Sequence, residues 1–306
     1  MLLQRILTAL VLIPLIIGAV FYLPSNAYFS YFSVVMAVIV LIGAWEWTNL
    51  ISMDKLWMKL VFLVMLIVPM IGVTLWTQFL ELMATLLEWQ DLKEYSGVIE
   101  YLVFPPVLFW VLVMILIRQV PAQLLQFQPR IRYKALIGWF ILLSAWMFIS
   151  RLHTLYQAGM VMYFLILIWS ADIFAYFAGK KFGKEKLSPD ISPGKTVEGF
   201  YGALVAGLVC GIGFNVFLKI FYGTNVEYSD LHYVTSFDFV LLSVLTVLTS
   251  VYGDLFFSLV KRQKGVKDTG SILPGHGGIL DRIDSAIAAA PFFYAGVYLI
   301  SRGVVG

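Results

Sequence analysis

A single cysteine, Cys210, lies inside an apolar run, which excludes an intramolecular disulfide and any thiolate metal centre. Charge is scarce too: Asp, Glu, Lys and Arg make up 13% of the chain, against 61% hydrophobic residues. A chain so composed cannot present a polar surface to water all round, and lipid is the solvent that suits it. The net charge of +3 is too small to argue for a nucleic-acid partner. No low-complexity linker or soluble domain interrupts the apolar pattern, and no internal repeat suggests an inverted-repeat transporter. The opening stretch MLLQRILTALVLIPLIIGAVFYL has one basic residue and an apolar run too long for a signal-peptide core. No small-x-small cleavage site follows it, so it reads as a retained first transmembrane helix.

What the chain has in quantity is spanning segments. A helix needs roughly 20 apolar residues to cross a bilayer. Segments near 6–23, 27–50, 56–78, 98–118, 135–150, 159–179, 199–221, 237–260 and 283–302 meet that need. The expected fold is therefore an all-α integral membrane protein of about nine transmembrane helices, a single polytopic domain over 1–306. Pro14, Pro69 and Pro291 fall inside spans, where neighbouring helices can re-satisfy the freed backbone groups. Trp45, Trp47, Trp57, Trp76 and Trp89 cluster near span ends, as interfacial anchors do. With nine spans, 17 of the 21 Lys and Arg fall on one side of the membrane. The positive-inside rule makes that side cytoplasmic, with the N-terminus inside and the C-terminus outside. The basic loop QFQPRIRYK (126–134) is then a topology determinant beside anionic headgroups.

Two cytoplasmic-face segments, 169–199 and 252–285, gather the chemistry-bearing residues. In the first, Asp172, Tyr176 and Lys180 are spaced four apart and share one helix face. SPGKT follows, with Ser192, Lys195 and Thr196, then Glu198. It is not a P-loop, since Pro189 stands where that pattern needs its first glycine. The expected element is a short loop that offers Lys195, hydroxyls and backbone N–H groups to phosphate at a helix N-terminus.

The second segment reads YGDLFFSLVKRQKGVKDTGSILPGHGGILDRIDS. Acids beside lipid are functional candidates by default. Asp254, Ser258 and Lys261 follow helical spacing, and Asp281 and Asp284 stand three apart on the last helix. Carboxylates from three helices at similar depth suit Mg²⁺, which is usually held by one or two carboxylates plus substrate phosphates. Gly275, Gly277 and Gly278 permit close backbone approach, as phosphate loops require. Plainer readings stay open for single residues. Asp284 suits a helix N-terminal charge, His276 a turn residue, and Glu46, between Trp45 and Trp47, an interfacial residue.

SLVKRQKGVKDTGSILPGHGGILDRID (258–284) resembles the signature of the phosphatidate cytidylyltransferase (CDP-diacylglycerol synthase) family. It matches in the S-x-x-K-R opening, the K-D-x-G-x-x-L-P-G-H-G-G centre and the D-R-x-D close. The 172–199 stretch is similar to a second recurring family segment. The resemblance implies transfer of the cytidylyl group of CTP to phosphatidic acid, a nucleotidyltransferase reaction of phospholipid biosynthesis that releases pyrophosphate. It also implies Mg²⁺ dependence, a bacterial-type inner membrane location and, often, a homodimer. On that basis Asp254 and Asp281 are expected as the main metal ligands, with Asp284 and Asp172 in support. Lys195, Thr196, Lys261, Arg262 and Lys267 are expected at triphosphate or phosphatidate, joined by Ser192, Ser258, His276, Gly277, Gly278 and Arg282. Two other readings use similar parts: a CTP-dependent polyprenol or phytol kinase, and a transporter for an anionic metabolite. The kinase would need a general base for its lipid alcohol, and only His276 or an Asp is available. The transporter would place its charges near the midplane rather than near one face.

The 17-to-4 basic asymmetry makes a topological prediction. Single cysteines at Gly265 and Asn225, in a Cys210→Ala background, should label from opposite sides of the membrane, with Gly265 protected in intact cells. Labelling of both from one side contradicts it.

Overall fold

The computed structural model describes residues 2–23, 30–222 and 236–302. The expected connector near 222–236, Asn225 included, lies outside the described residues apart from its two end positions. Nine α-helices follow one another among the described residues. They are α1 (Leu2–Tyr22), α2 (Tyr31–Leu50), α3 (Leu56–Leu86), α4 (Phe104–Gln119) and the short α5 (Pro121–Gln126), with 3₁₀ turns over Gln90–Val103 ahead of α4. Then come α6 (Ile131–Phe182), α7 (Val197–Tyr222), α8 (Ser236–Lys264) and α9 (Leu280–Arg302). Seven helices among the described residues are long and apolar enough to cross a membrane. This is a helical, multi-pass membrane protein.

Two features bear on the sequence-based expectation, the first in agreement with it and the second a departure. The fifth and sixth expected spans are the two helical halves of α6, 52 residues in all, which meet at a kink where Gln157 is non-helical (φ 67, ψ 171). The polar residues just ahead of the kink find partners inside the protein. Arg151 pairs with Glu100, and His153 Nε2 lies 2.9 Å from the Val20 carbonyl while its ring stacks on Phe32. Second, SPGKT is a strand and not a loop. Lys186–Ser188 (β1) and Ser192–Thr196 (β2) pair antiparallel, with Ser188 opposite Ser192 and Lys186 opposite Thr196.

The chain divides into two compact units, described one at a time. One comprises residues 1–106, 129–161 and 266–283. Its helices are tied by indole N–H groups that seek carbonyls, since an unpaired donor in an apolar interior costs free energy. Trp47 donates to the Lys134 carbonyl at 3.1 Å, Trp139 to Met65 at 2.7 Å and Trp146 to Ser33 at 2.9 Å.

The other unit comprises 107–128, 162–265 and 284–306. Small residues set its helix contacts, as expected where lipid removes any solvent drive for association and close backbone approach must supply it. A Cβ added to Gly211 of α7 would lie 2.8 Å from Val240 Cα of α8. One on Gly253 of α8 would lie 2.4 Å from Ala288 Cβ of α9. The start of α7 lies as close to the end of α6, where a Cβ on Gly202 would lie 2.5 Å from Ala178 Cβ and 2.8 Å from the Phe174 carbonyl oxygen.

Because backbone cannot yield as a side chain can, Gly202→Val should force α6 and α7 apart at a cost of about 1–3 kcal/mol. A lowered thermal midpoint in detergent checks this; a wild-type midpoint contradicts the contact.

Candidate active site

Local chemistry fixes the β1–β2 hairpin at the mouth of α7. Thr196 is the N-cap: its Oγ1 accepts the Gly199 N–H at 3.1 Å, satisfying one of the donors a helix start leaves over. The Val197 N–H donates to the Glu185 carbonyl at 2.9 Å, and Glu198 Oε1 accepts the Glu185 N–H at 3.4 Å. Strand β2 therefore runs into α7 with no slack, and Lys195 is held one residue before the cap.

Lys195 reaches α8, where its Nζ lies 2.6 Å from Asp254 Oδ2 and 3.4 Å from the Val251 carbonyl. Ser258, one turn further along, donates to Asp254 Oδ1 at 3.3 Å. Both oxygens of Asp254 are thus oriented. The pair lines a cavity of about 360 Å³, together with Asp172, Tyr176, Lys180 and Thr196. That volume is within the usual range for small-ligand sites. Asp254 keeps 31% of its side-chain surface and Lys195 25%, so both remain open to a ligand. Asp284, buried on α9, is within electrostatic reach of Asp254, Lys261 and Lys195. Arg262 extends from α8 to the hairpin, its Nε 3.5 Å from the Ile191 carbonyl.

The expected residues of the other unit meet in the Gly-rich loop. Leu273 N–H donates to the Gly277 carbonyl and His276 N–H to the Leu273 carbonyl, each at 2.9 Å, closing a tight turn. Gly275 (φ 74) and Gly277 (φ 82) take left-handed backbone there, which a side chain would strain. His276 is half-buried in this turn. Asp281 Oδ2 accepts from the Thr269 N–H (2.8 Å) and the Gly278 N–H (3.0 Å), and the Thr269 hydroxyl lies 3.0 Å from it. That carboxylate oxygen therefore organises the loop. Lys267 and Arg282 are exposed and carry no ion pair among the described residues.

The geometry sorts the expected residues into two sets. Asp172, Ser192, Lys195, Thr196, Asp254, Ser258, Lys261, Arg262 and Asp284 belong to the cavity-bearing unit. Lys267, His276, Gly277, Gly278, Asp281 and Arg282 belong to the loop-bearing unit.

One residue of weight escaped the expected set. Glu46 of α2, read from sequence as interfacial, is buried, accepts the Ile279 and Leu280 N–H groups, and has the Thr269 hydroxyl 3.0 Å from its Oε2. No local pattern in AWEWT announces this; the only signal was an acid inside an otherwise apolar helix.

The sequence model described as the Cytidylyltransferase family matches residues 3–300. The chain belongs to that family. It is 35% identical to the phosphatidate cytidylyltransferase of Pseudomonas aeruginosa over 296 residues, covering 96% of each chain. It is also 35% identical to that of Haemophilus influenzae over 300 residues, 96% of this chain and 97% of the relative. A third relative, the phosphatidate cytidylyltransferase of Bacillus subtilis, is 42% identical over 149 residues, about half of each chain. As a cytidylyltransferase family member the chain is a nucleotidyltransferase, and the cavity carries the charged and hydroxyl side chains that phosphoryl chemistry needs.

Proposed function

We propose that this protein transfers the cytidylyl group of CTP to phosphatidic acid, giving CDP-diacylglycerol and pyrophosphate. Near-complete overlap with two phosphatidate cytidylyltransferases carries this reading, and the charge arrangement of the cavity supports it. A phosphate oxygen of phosphatidate attacks the α-phosphorus of CTP, and the bond from that phosphorus to the β-phosphate bridging oxygen breaks. The nucleophile is already ionised, so no serine or cysteine intermediate is required. The obstacle is repulsion between two polyanions, and positioned charge is what removes it.

Lys195, held at the cavity by Asp254, and Lys261 and Arg262 on α8 are proposed to bind phosphate oxygens, with Thr196 and Ser192 as hydroxyl donors. In the loop-bearing unit, Lys267 and, on the first turn of α9, Arg282 are proposed as phosphate contacts in their own right. The donor set fits Mg²⁺ in kind, since Asp254 and Asp172 line one cavity with hard oxygen atoms. Among the described residues no three His, Cys, Asp or Glu side chains form a metal-holding group. A cation held by Asp254 and Asp172 would therefore complete its shell with substrate phosphates and water, Asp284 adding negative potential. Bound there, Mg²⁺ would supply charge neutralisation at the triphosphate. Asp281 is assigned to loop order, consistent with the Thr269 and Gly278 N–H groups that its Oδ2 accepts.

The topology proposed is nine spans, with the active site facing the cytoplasm of a bacterial-type inner membrane. Reading α6 as two spans that meet at Gln157, and counting α1, supports that number. A homodimer is part of the proposal through the family resemblance alone.

Purified protein given CTP, Mg²⁺ and phosphatidic acid should release pyrophosphate only when the lipid is present, and EDTA should stop it reversibly. Asp254→Asn and Lys195→Met should each lower turnover by about 10²-fold, the scale of a lost charge at such a site. Because the two side chains form one pair, the double variant should be little worse than either single. Multiplicative losses contradict a shared role, and lipid-independent pyrophosphate release contradicts the reaction.

A further inference from the structure

Glu46 is 2% exposed and sits on α2, more than two hundred residues before the loop it touches. Its Oε1 accepts the Ile279 N–H at 3.0 Å. Its Oε2 accepts the Leu280 N–H at 2.9 Å and lies 3.0 Å from the Thr269 hydroxyl. Ile279 directly precedes α9 and Leu280 is its first residue, so Glu46 is an anionic cap supplied by a different helix, placed where the macrodipole favours negative charge. The Thr269 hydroxyl is also 3.0 Å from Asp281 Oδ2, so its single proton serves one carboxylate or the other. The fit leaves no spare room. A Cβ on Gly270 would lie 2.6 Å from Glu46 Oε1, and one on Gly278 2.4 Å from Oε2. Gly270 thus makes way for the Glu46 carboxylate, and Gly278 for that carboxylate and the Thr269 hydroxyl, 2.2 Å from an added Cβ.

This arrangement has a functional consequence. The N–H groups of Gly278, Ile279 and Leu280, which a helix start would otherwise offer to phosphate, are already taken by Asp281 and Glu46. A phosphate at this loop therefore meets its side chains, with Lys267 and Arg282 the exposed cations. Their usefulness depends on where the loop sits. We infer that Glu46 is a positioning residue for cytidylyl transfer, fixing from α2 the seat of the 266–279 loop and the first turn of α9. The inference rests on the proposed function for its link to catalysis, and on hydrogen bonds alone for the anchoring.

Glu46→Gln keeps size and one acceptor oxygen but turns an NH₂ group toward donors. In this variant the KM for CTP should rise about tenfold, on the scale of one lost charge-assisted hydrogen bond. A merely misfolded fraction would lower kcat and leave KM alone. Amide hydrogen exchange at Ile279 and Leu280, measured without substrate, should quicken in the same variant. If Glu46→Gln does not accumulate, Thr269→Val, which loses the hydroxyl and keeps the shape, should move both readouts in the same direction by a smaller factor. Wild-type KM together with unchanged exchange overturns the inference. Quickened exchange with an unchanged KM also overturns it, leaving Glu46 an anchor without a role in the reaction. A wild-type protein that makes no CDP-lipid defeats the functional reading, and exchange alone then decides the anchoring.

Discussion

A charge in a chain this apolar has to find its partner inside the protein. An uncompensated buried charge costs several kcal/mol, and breaking a buried pair costs about 3–5 kcal/mol. The structure meets this constraint in three ways. Asp254 takes a lysine from the hairpin, Glu100 takes Arg151, and Glu46 and Asp281 take backbone N–H groups. The first keeps appreciable exposure and lines a cavity, so its charges can be shared with a ligand. The carboxylates of Glu46 and Asp281 are closed around their donors, and they serve as fixtures. Function and architecture thus draw on the same scarce residues and differ in what each charge faces.

Glycine makes these pairings possible. At the α6–α7 contact it lets helices approach until only a hydrogen fits, and this brings the hairpin that carries Lys195 onto the end of α6. In the loop it opens space for Glu46, and at Gly275 and Gly277 it takes dihedrals other residues resist. A phosphate-handling site in a membrane protein needs fixed charges, and close contacts of this kind fix them without spending further polar groups on the task.

The spans were legible because hydropathy over some 20 residues is a strong and local signal. Asp254, Ser258 and Lys261 were legible as one helix face for the same reason, since their spacing is a property of a single helix. The break in α6 was legible too, as a polar run between two apolar segments. The partners of Arg151 and His153 were not, because Glu100 and the Val20 carbonyl are distant in sequence. The strand in SPGKT was hidden because its pairing with Lys186–Ser188 and its junction with α7 are made by Thr196, Glu198 and Glu185 together. Glu46 was the hardest to read. Its role exists only once α2 meets the start of α9, and no periodicity records that meeting.

The central claim is that the arranged charges serve cytidylyl transfer to a lipid phosphate, and the fate of individual phosphorus atoms tests it most directly. Purified protein would be given phosphatidic acid and CTP labelled at the α-phosphorus in one reaction and at the γ-phosphorus in another. The account predicts α-label in the lipid product and γ-label in released pyrophosphate. Label from the γ-position in lipid would mean phosphoryl transfer, and would contradict it.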